Sequence, residues 1–440
     1  MLNSESTPQP DLTCDTKAAI VVNTIHPSAP VKGGCRFCGT ALKHSVVDLG
    51  ASPLCENFLT RDQLKEAEPF YPLHCLVREK CFLVQVEEYV SGESIFGGEY
   101  AYFSSYSDSW LAHAKRCVDM IVDRLGLNTN SFVLELASND GYLLQHMVEK
   151  GIPCLGVEPA DNVAEVAVAK GVPTLNTFLG VATAKELAAK GKKADLLLAN
   201  NVMAHVPDLN DFIGGMKVVL KDGGVVTIEF PHLMRLIEGN QFDTIYQEHY
   251  CYFSLLTVEQ VFLAHGMTIF DVEELPTHGG SLRIYARHTQ DLSKPIQAAV
   301  TELHQPEVDA GYKRIETYSA FAEKVAETKR GLLEFLIQAK REGKTVAGYG
   351  APGKGNTLLN YCGVRQDFID YVVDRNPYKH NKFLPGTHIS VFDTDQIAKT
   401  KPDYVLILPW NLKDEIVEQL QYIREWGAKF VVPIPKLTVC

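Results

Sequence analysis

No apolar run in this chain reaches the length needed to cross a bilayer, which argues against a helical membrane protein. There is no basic excess either. Lys and Arg number 42 against 54 Asp and Glu, for a net charge of −12 spread along the sequence. Neither a nucleic-acid groove nor a surface built for anionic membranes is expected from that balance. No basic segment followed by an apolar one opens the chain, so no secretory leader is expected. The 11 cysteines are scattered rather than spaced as a disulfide framework, and a cytoplasmic location is the expectation. Also missing are the Gly-x-Gly-x-x-Gly of dinucleotide binders, a Walker loop and a second Cys-x-x-Cys.

What is present reads as a multidomain α/β protein. At 440 residues, two or three domains are expected, and 46% hydrophobic with 22% charged residues is ordinary for a globular chain. Residues 1–33 are rich in Ser, Thr, Pro and Asn and are expected to be disordered or loosely attached.

The strongest signal is Phe132-Val-Leu-Glu-Leu-Ala-Ser-Asn-Asp-Gly141, followed by Cys154-Leu-Gly-Val-Glu158. Two successive strands each end in a carboxylate, as in a βαβ unit whose second acid grips ribose hydroxyls. The acid in the first turn repels a pyrophosphate and suits a cationic ligand without phosphate. S-adenosylmethionine fits that description. Strands are predicted at 131–136, 153–157, 194–199, 223–229 and 281–286, with helices between them. Ligands in such sheets sit at the carboxyl ends of strands, which gathers Glu135, Ser138, Asp140, Gly141, Glu158, Asn200, Asn201 and His205 around one crevice.

Past the strand ending at Glu229 comes the densest polar-aromatic cluster, with Tyr246, Glu248, His249, Tyr250 and Tyr252 in seven positions. It offers a general base, a group to orient it and oxyanion donors together. Thr277-His-Gly-Gly-Ser-Leu-Arg283 has glycines that admit a ligand close to the backbone, and in Arg283 a cation for an anion. An upstream aromatic-hydroxyl run, Tyr100–Ser107, suits a sugar or plain packing.

At the N-terminal end, Cys35-Arg-Phe-Cys38-Gly39 is a metal knuckle. Cys81, in the strand-like run 81–86, supplies a third thiol. Arg78 stands where a fourth would complete a second knuckle, and His74 and Cys75 are out of register. Towards the C-terminus, 308–341 reads as one long spacer helix. Thr345–Thr357 then opens a second α/β unit whose Gly-rich turn suits phosphates on backbone amides. Tyr349, Lys354, Asn356, Asp374 and Trp410 fall at its strand ends.

The order of these pieces resembles the three-domain S-adenosylmethionine-dependent C-methyltransferases of nucleotide-linked 4-ketosugars. Cys35-Arg-Phe-Cys38, Leu136-Ala-Ser-Asn-Asp-Gly141, Asn201-Val-Met-Ala-His205, Tyr246-Gln-Glu-His249, His278-Gly-Gly-Ser-Leu-Arg283 and Gly348-Tyr-Gly-Ala-Pro-Gly-Lys-Gly-Asn-Thr357 carry the resemblance. It implies a class I methyltransferase Rossmann-like domain (96–290), a small N-terminal zinc-binding module (34–95) and a C-terminal α/β, Rossmann-like sugar-nucleotide domain (291–440). The family's catalytic His and Tyr fall on His249 and Tyr246, with Glu248 between them. Its further His and Tyr fall on His205 and Tyr102. Expected are methylation beside a ketone through an enolate, Glu248 orienting the imidazole, and a structural zinc on Cys35, Cys38 and Cys81. His278, Arg283, Tyr349, Lys354, Asn356, Asp374 and Trp410 would contact a dTDP- or GDP-linked substrate, and a monomer is expected. The alternatives are O- or N-methylation of a sugar nucleotide, or a non-catalytic nucleotide-binding scaffold.

Overall fold

The computed structural model describes Pro27, residues 33–96, Tyr100 and residues 102–440. The segment 1–33, apart from Pro27 and Gly33, lies outside the described residues.

Three sheets organise the described residues. The N-terminal sheet is antiparallel, in the order His44–Ser52, Tyr71–Val77, Val84–Val86, Cys251–Tyr252. Leu73, Cys75 and Val77 alternate inward along their strand, so Cys75 is a core residue. The fourth strand comes from the middle of the chain and welds the polar-aromatic cluster to this sheet. The run 81–86 is strand only over Val84–Val86. Cys81 sits in a turn, which Phe82 closes in a left-handed conformation (φ 54) and by donating its N–H to the Arg78 carbonyl at 2.8 Å. The knuckle geometry therefore exists around Cys81, with Arg78 at its other ligand position.

The middle sheet has seven strands in the order Met267–Leu275, Ser281–His288, Leu220–Pro231, Ala194–Asn200, Val133–Leu136, Cys154–Val157, Thr174–Leu175. The last five of these are parallel, and an antiparallel hairpin forms the opposite edge. Leu196, Leu197, Leu198 and Ala199 are fully buried, as a central strand covered by helices on both faces requires. Strand order reverses between Val133–Leu136 and Ala194–Asn200, so the crevice opens there. Thr174–Leu175 and Met267–Leu275 are strands that periodicity did not single out: the first has two residues, and the second carries Asp271, Glu273 and Glu274 along the sheet edge.

The C-terminal sheet is parallel over Val391–Phe392, Tyr371–Val373, Val346–Tyr349, Tyr404–Ile407 and Lys429–Val432, with Thr438–Val439 added antiparallel. The single helix expected over 308–341 is instead Ala298–Asp309, Ile315–Ser319 and Phe321–Arg341. Gly311, left-handed at φ 85, ends the first segment. Val325, Leu332 and Leu336 of the longest helix enter one core with Val46 and Leu73 of the first sheet and Val346 and Leu406 of the third, so this helix does join domains. Among the described residues, no helix is long and apolar enough to cross a membrane.

Candidate active site

The turn after Val133–Leu136 is left-handed at Ala137 (φ 51), Asn139 (φ 50) and Gly141 (φ 78). Glycine is the ordinary occupant of such positions, and asparagine tolerates them. The backbone path of a glycine-rich ligand turn is thus built here with Ala and Asn. Glu158, past the next strand, is held by two backbone donors: Asn139 N–H to Oε2 and Ala160 N–H to Oε1, both at 2.9 Å. Each oxygen keeps a lone pair for a further donor. Glu135 is 1% exposed. Burial, then Glu158 and Asp140, raise its pKa well above the carboxylate range. Asp140 meets Lys170 Nζ at 2.9 Å through Oδ2. Among the described residues, no hydrogen-bond partner reaches Ser138 Oγ, Asp140 Oδ1 or the side-chain amides of Asn200 and Asn201. Unpartnered buried polar atoms are rare in folded proteins. A ring of them at two strand ends, among the carboxylates of Glu135, Asp140 and Glu158, fits a cationic ligand that carries amine and hydroxyl groups, as S-adenosylmethionine does.

The polar-aromatic cluster stands beside this crevice. The Tyr246 hydroxyl is 3.0 Å from His249 Nε2, and His249 Nδ1 is 2.8 Å from the Thr244 carbonyl. A carbonyl only accepts, so Nδ1 carries the proton and Nε2 presents its lone pair to Tyr246. Burial, with His205 nearby, drives the His249 pKa well below the usual imidazole range. The rings of His205 and His249 meet edge to face at 4.6 Å. Burial lowers His205 to about 4, partly offset by a hydrogen bond to the Glu248 backbone.

Glu248 does not orient the imidazole; the Thr244 carbonyl does. The Glu248 side chain turns away, 4% exposed, and accepts from Cys55 Sγ at 3.7 Å. Burial and then Glu56 push it up to about 8, so it is a neutral acid at pH 7. Tyr102 is 46% exposed and within electrostatic reach of Glu56, Lys379 and Asp140, between the donor turn and the C-terminal domain.

The residues expected to contact substrate divide into two groups. His278 and Lys354 lie within electrostatic reach of His249, and Lys354 Nζ sits 4.8 Å over the Trp410 ring while donating to Asn411 at 2.8 Å. These three, half-buried, line the side of the site contributed with the C-terminal domain. The others are engaged within the chain. Arg283 is closed off between Glu229 at 3.0 Å and Glu273 at 3.1 Å, so it is not available to an external anion. Asn356 donates to the Cys55 carbonyl at 2.6 Å, and Tyr349 donates to Gln419 at 3.2 Å. Asp374 accepts from Ala351 N–H at 2.6 Å. Glu56 is hydrogen-bonded to the Gly353 backbone, with Lys379 Nζ 3.3 Å from its Oε2. Two carboxylates therefore fill the Gly-rich turn where phosphates were expected. A Cβ on Gly279 would come within 2.6 Å of Trp410 and one on Gly280 within 2.8 Å of Arg235, so these glycines admit side chains of the protein rather than a ligand.

Thr244, Cys55, Glu56, Lys379 and Asp243 had no signal in the sequence. Thr244 acts through its backbone. Asp243, which accepts Trp410 Nε1–H at 2.7 Å and is pushed up to about 6 by burial, owes its place to a partner far along the chain.

In the N-terminal module, Cys35, Cys38 and Cys81 bring their sulfurs within 4.8 Å of one another. Cys35 Sγ is 3.5 Å and Cys38 Sγ 3.8 Å from Cys81 Sγ. No fourth His, Cys or carboxylate joins them among the described residues. Arg78, 6% exposed, hydrogen-bonds Thr40, whose hydroxyl is 3.0 Å from Cys38 Sγ. Three converging thiols fit a zinc ion, whose part would be to pin the knuckle to the turn around Cys81.

Three family models match successive stretches of the chain. Residues 35–96 match the family described as "Putative zinc binding domain", residues 110–272 a methyltransferase domain family, and residues 276–435 a C-methyltransferase C-terminal domain family. The chain is 34% identical over 402 residues to the C-methyltransferase NovU of Streptomyces niveus, spanning 91% of this chain and 95% of that one. A ubiquinone biosynthesis O-methyltransferase of Bartonella bacilliformis is 28% identical over 136 residues, 30% of this chain and 55% of its own. Among solved structures, an S-adenosylmethionine-dependent methyltransferase from Anabaena variabilis aligns over 41% of this chain and 86% of its own, at 14% identity and a TM-score of 0.34, too weak a likeness to weigh. With three family matches in this order and a relative alike along nearly its whole length, the chain belongs to the S-adenosylmethionine-dependent C-methyltransferases.

Proposed function

We propose that this C-methyltransferase acts on a nucleotide-linked 4-ketosugar at carbon 3, in branched deoxysugar synthesis. Residues 96–290 would bind the donor, and 291–440 would complete the acceptor site. The Tyr246–His249 pair carries the reading: a neutral imidazole, its Nδ1–H held by Thr244, directs a lone pair at a phenol on the edge of the donor crevice.

The 4-keto group acidifies the carbon-3 hydrogen. His249 Nε2 takes that proton, directly or through the Tyr246 hydroxyl, and the electron pair moves onto the ketone oxygen as an enolate. Tyr102 or His205 would stabilise the enolate oxygen, and we favour Tyr102 because His205 already gives an N–H to the Glu248 backbone and, held neutral, has no second one. Lys354 and His278 would hold the sugar nucleotide against Trp410. Glu158 would take the donor's ribose hydroxyls, and Glu135, Asp140, Ser138, Gly141, Asn200 and Asn201 would surround its charged parts. When bound, S-adenosylmethionine supplies an electrophilic methyl on a sulfonium. The enolate carbon would accept that methyl, with S-adenosylhomocysteine as the leaving group. Zinc on Cys35, Cys38 and Cys81 would be structural.

The test is solvent exchange. Given a dTDP- or GDP-linked 4-keto-6-deoxysugar with S-adenosylhomocysteine, the enzyme should exchange the carbon-3 hydrogen for deuterium, and with the methyl donor NMR should show a carbon-bonded methyl. A methyl on oxygen or nitrogen, without exchange, would sink the reading.

A further inference from the structure

One residue of the donor turn holds the aromatic segment that runs alongside the reaction site. Asn139 accepts the Ser104 N–H on its side-chain oxygen at 2.8 Å and donates its amide to the Tyr102 carbonyl at 3.2 Å. Its own backbone N–H goes to Glu158 Oε2 at 2.9 Å. At 8% exposure these bonds are largely shielded from water. The same half of the protein grips the segment twice more. Asn162 donates to the Tyr100 carbonyl at 3.0 Å, and Lys170, while paired with Asp140, reaches the Ser105 hydroxyl at 3.0 Å. On the opposite side Phe103 stacks on Tyr378 of the C-terminal domain, with ring centres 5.9 Å apart and an angle of 16°. The segment thus leans on the donor half through hydrogen bonds and on the acceptor half through rings.

We propose that Asn139 is a positioning residue that makes the order of the Tyr102–Ser104 segment, and through it the acceptor side, depend on the donor site. This rests on the donor-site reading above. A ligand drawn to Glu158 tightens the group that holds the Asn139 N–H. The rigid left-handed turn passes that restraint to the Asn139 side chain and so to Ser104. Linkage makes the effect reciprocal: whatever orders the segment also favours the donor.

Asn139→Gly isolates the side chain, because glycine suits the left-handed backbone at φ 50 and keeps the N–H to Glu158. The probe is S-adenosylhomocysteine, with affinity read by calorimetry and amide hydrogen exchange read over residues 102–106 of the full chain. In the wild type, saturating probe should slow exchange at Ser104 about tenfold, and Asn139→Gly should abolish that response while its affinity stays within about tenfold, the linkage lost with two hydrogen bonds. Ser104→Pro, read at the neighbouring amides, removes the bond from the other partner. Ser104 opens a short 3₁₀ turn and Phe103 before it is extended (φ −119, ψ 119), which proline accepts. It should reproduce the loss, whereas Ser104→Ala should not. A wild type that binds the probe with no change at Ser104, or a Gly variant that keeps the change, overturns the proposal. A wild type that does not bind the probe overturns the donor-site reading instead.

Discussion

Thr244 and His249, five positions apart, set the state of the site between them: the Thr244 carbonyl fixes the proton on Nδ1 and leaves Nε2, 3.0 Å from Tyr246, as the unprotonated nitrogen. His249→Asn should therefore slow methylation by ~10²–10⁴-fold, the usual contribution of a positioned acid–base group. Tyr246→Phe should keep part of the solvent exchange if His249 acts directly and lose all of it if the phenol relays the proton. Full activity in His249→Asn would remove the imidazole from the chemistry.

Donor affinity should hinge on Glu158. Replacement by Ala removes an acceptor for ribose hydroxyls and frees the Asn139 and Ala160 amides, so S-adenosylhomocysteine should bind about 1–3 kcal/mol more weakly by calorimetry. Unchanged affinity would take Glu158 out of the site.

Glu248 makes stability depend on pH in a stated direction. Its folded pKa, about 8, lies above the ordinary 4.5, so the folded chain holds a proton that the unfolded chain releases between those values. Its contribution is complete below pH 4.5 and is lost as pH rises towards 8. Glu248→Gln, which cannot ionise, should melt with the wild type at pH 5 and above it at pH 8. Parallel melting curves at both pH values would show that Glu248 ionises normally.

Purified protein should carry about one zinc per chain, retained less tightly than by four thiolates. Arg78→Cys should complete the second knuckle and slow zinc loss to a chelator by at least an order of magnitude. No zinc in either protein would mean that the three thiols are packing groups. Loss of turnover on chelation of a still-folded protein would contradict a structural metal.

Arg283 should matter to stability rather than to substrate affinity. Glu229 is wholly buried beside Arg283, His113 and Thr277, so Arg283→Ala leaves that carboxylate with one charged partner fewer, His113 and Thr277 remaining. The expected cost is ~1–3 kcal/mol by urea unfolding. A normally stable variant with a raised acceptor KM would return Arg283 to the binding site.

Where the sequence was informative, and where it was not, follows from the range of the physics. Glu135 and Glu158 were legible because an acid ending an apolar strand is a local pattern. The ligand turn was only half legible: Ala137 and Asn139 adopt conformations usually signalled by glycine, and nothing in their identity says so. Arg283, Asn356 and Asp374 looked like ligand contacts because side-chain type is all a sequence shows. Their partners, Glu229, Cys55 and Ala351, lie from tens to hundreds of positions away. The orientation of His249 was not legible at all, since the group that sets it is a carbonyl, common to every residue.

The pairing of Cys251–Tyr252 with Val84–Val86 also governs how the protein is made. A ribosome releases the first three strands of the N-terminal sheet long before the fourth, so that sheet waits with an open edge while the strands of the donor domain emerge. Contacts that close so large a loop form late and slow folding. The N-terminal module cut from the chain would lack the strand that completes it, and an exposed edge of that kind invites pairing with other copies. Module and polar-aromatic cluster are thus finished in a single event, and neither is a part that recombination or truncation can lend to another protein intact.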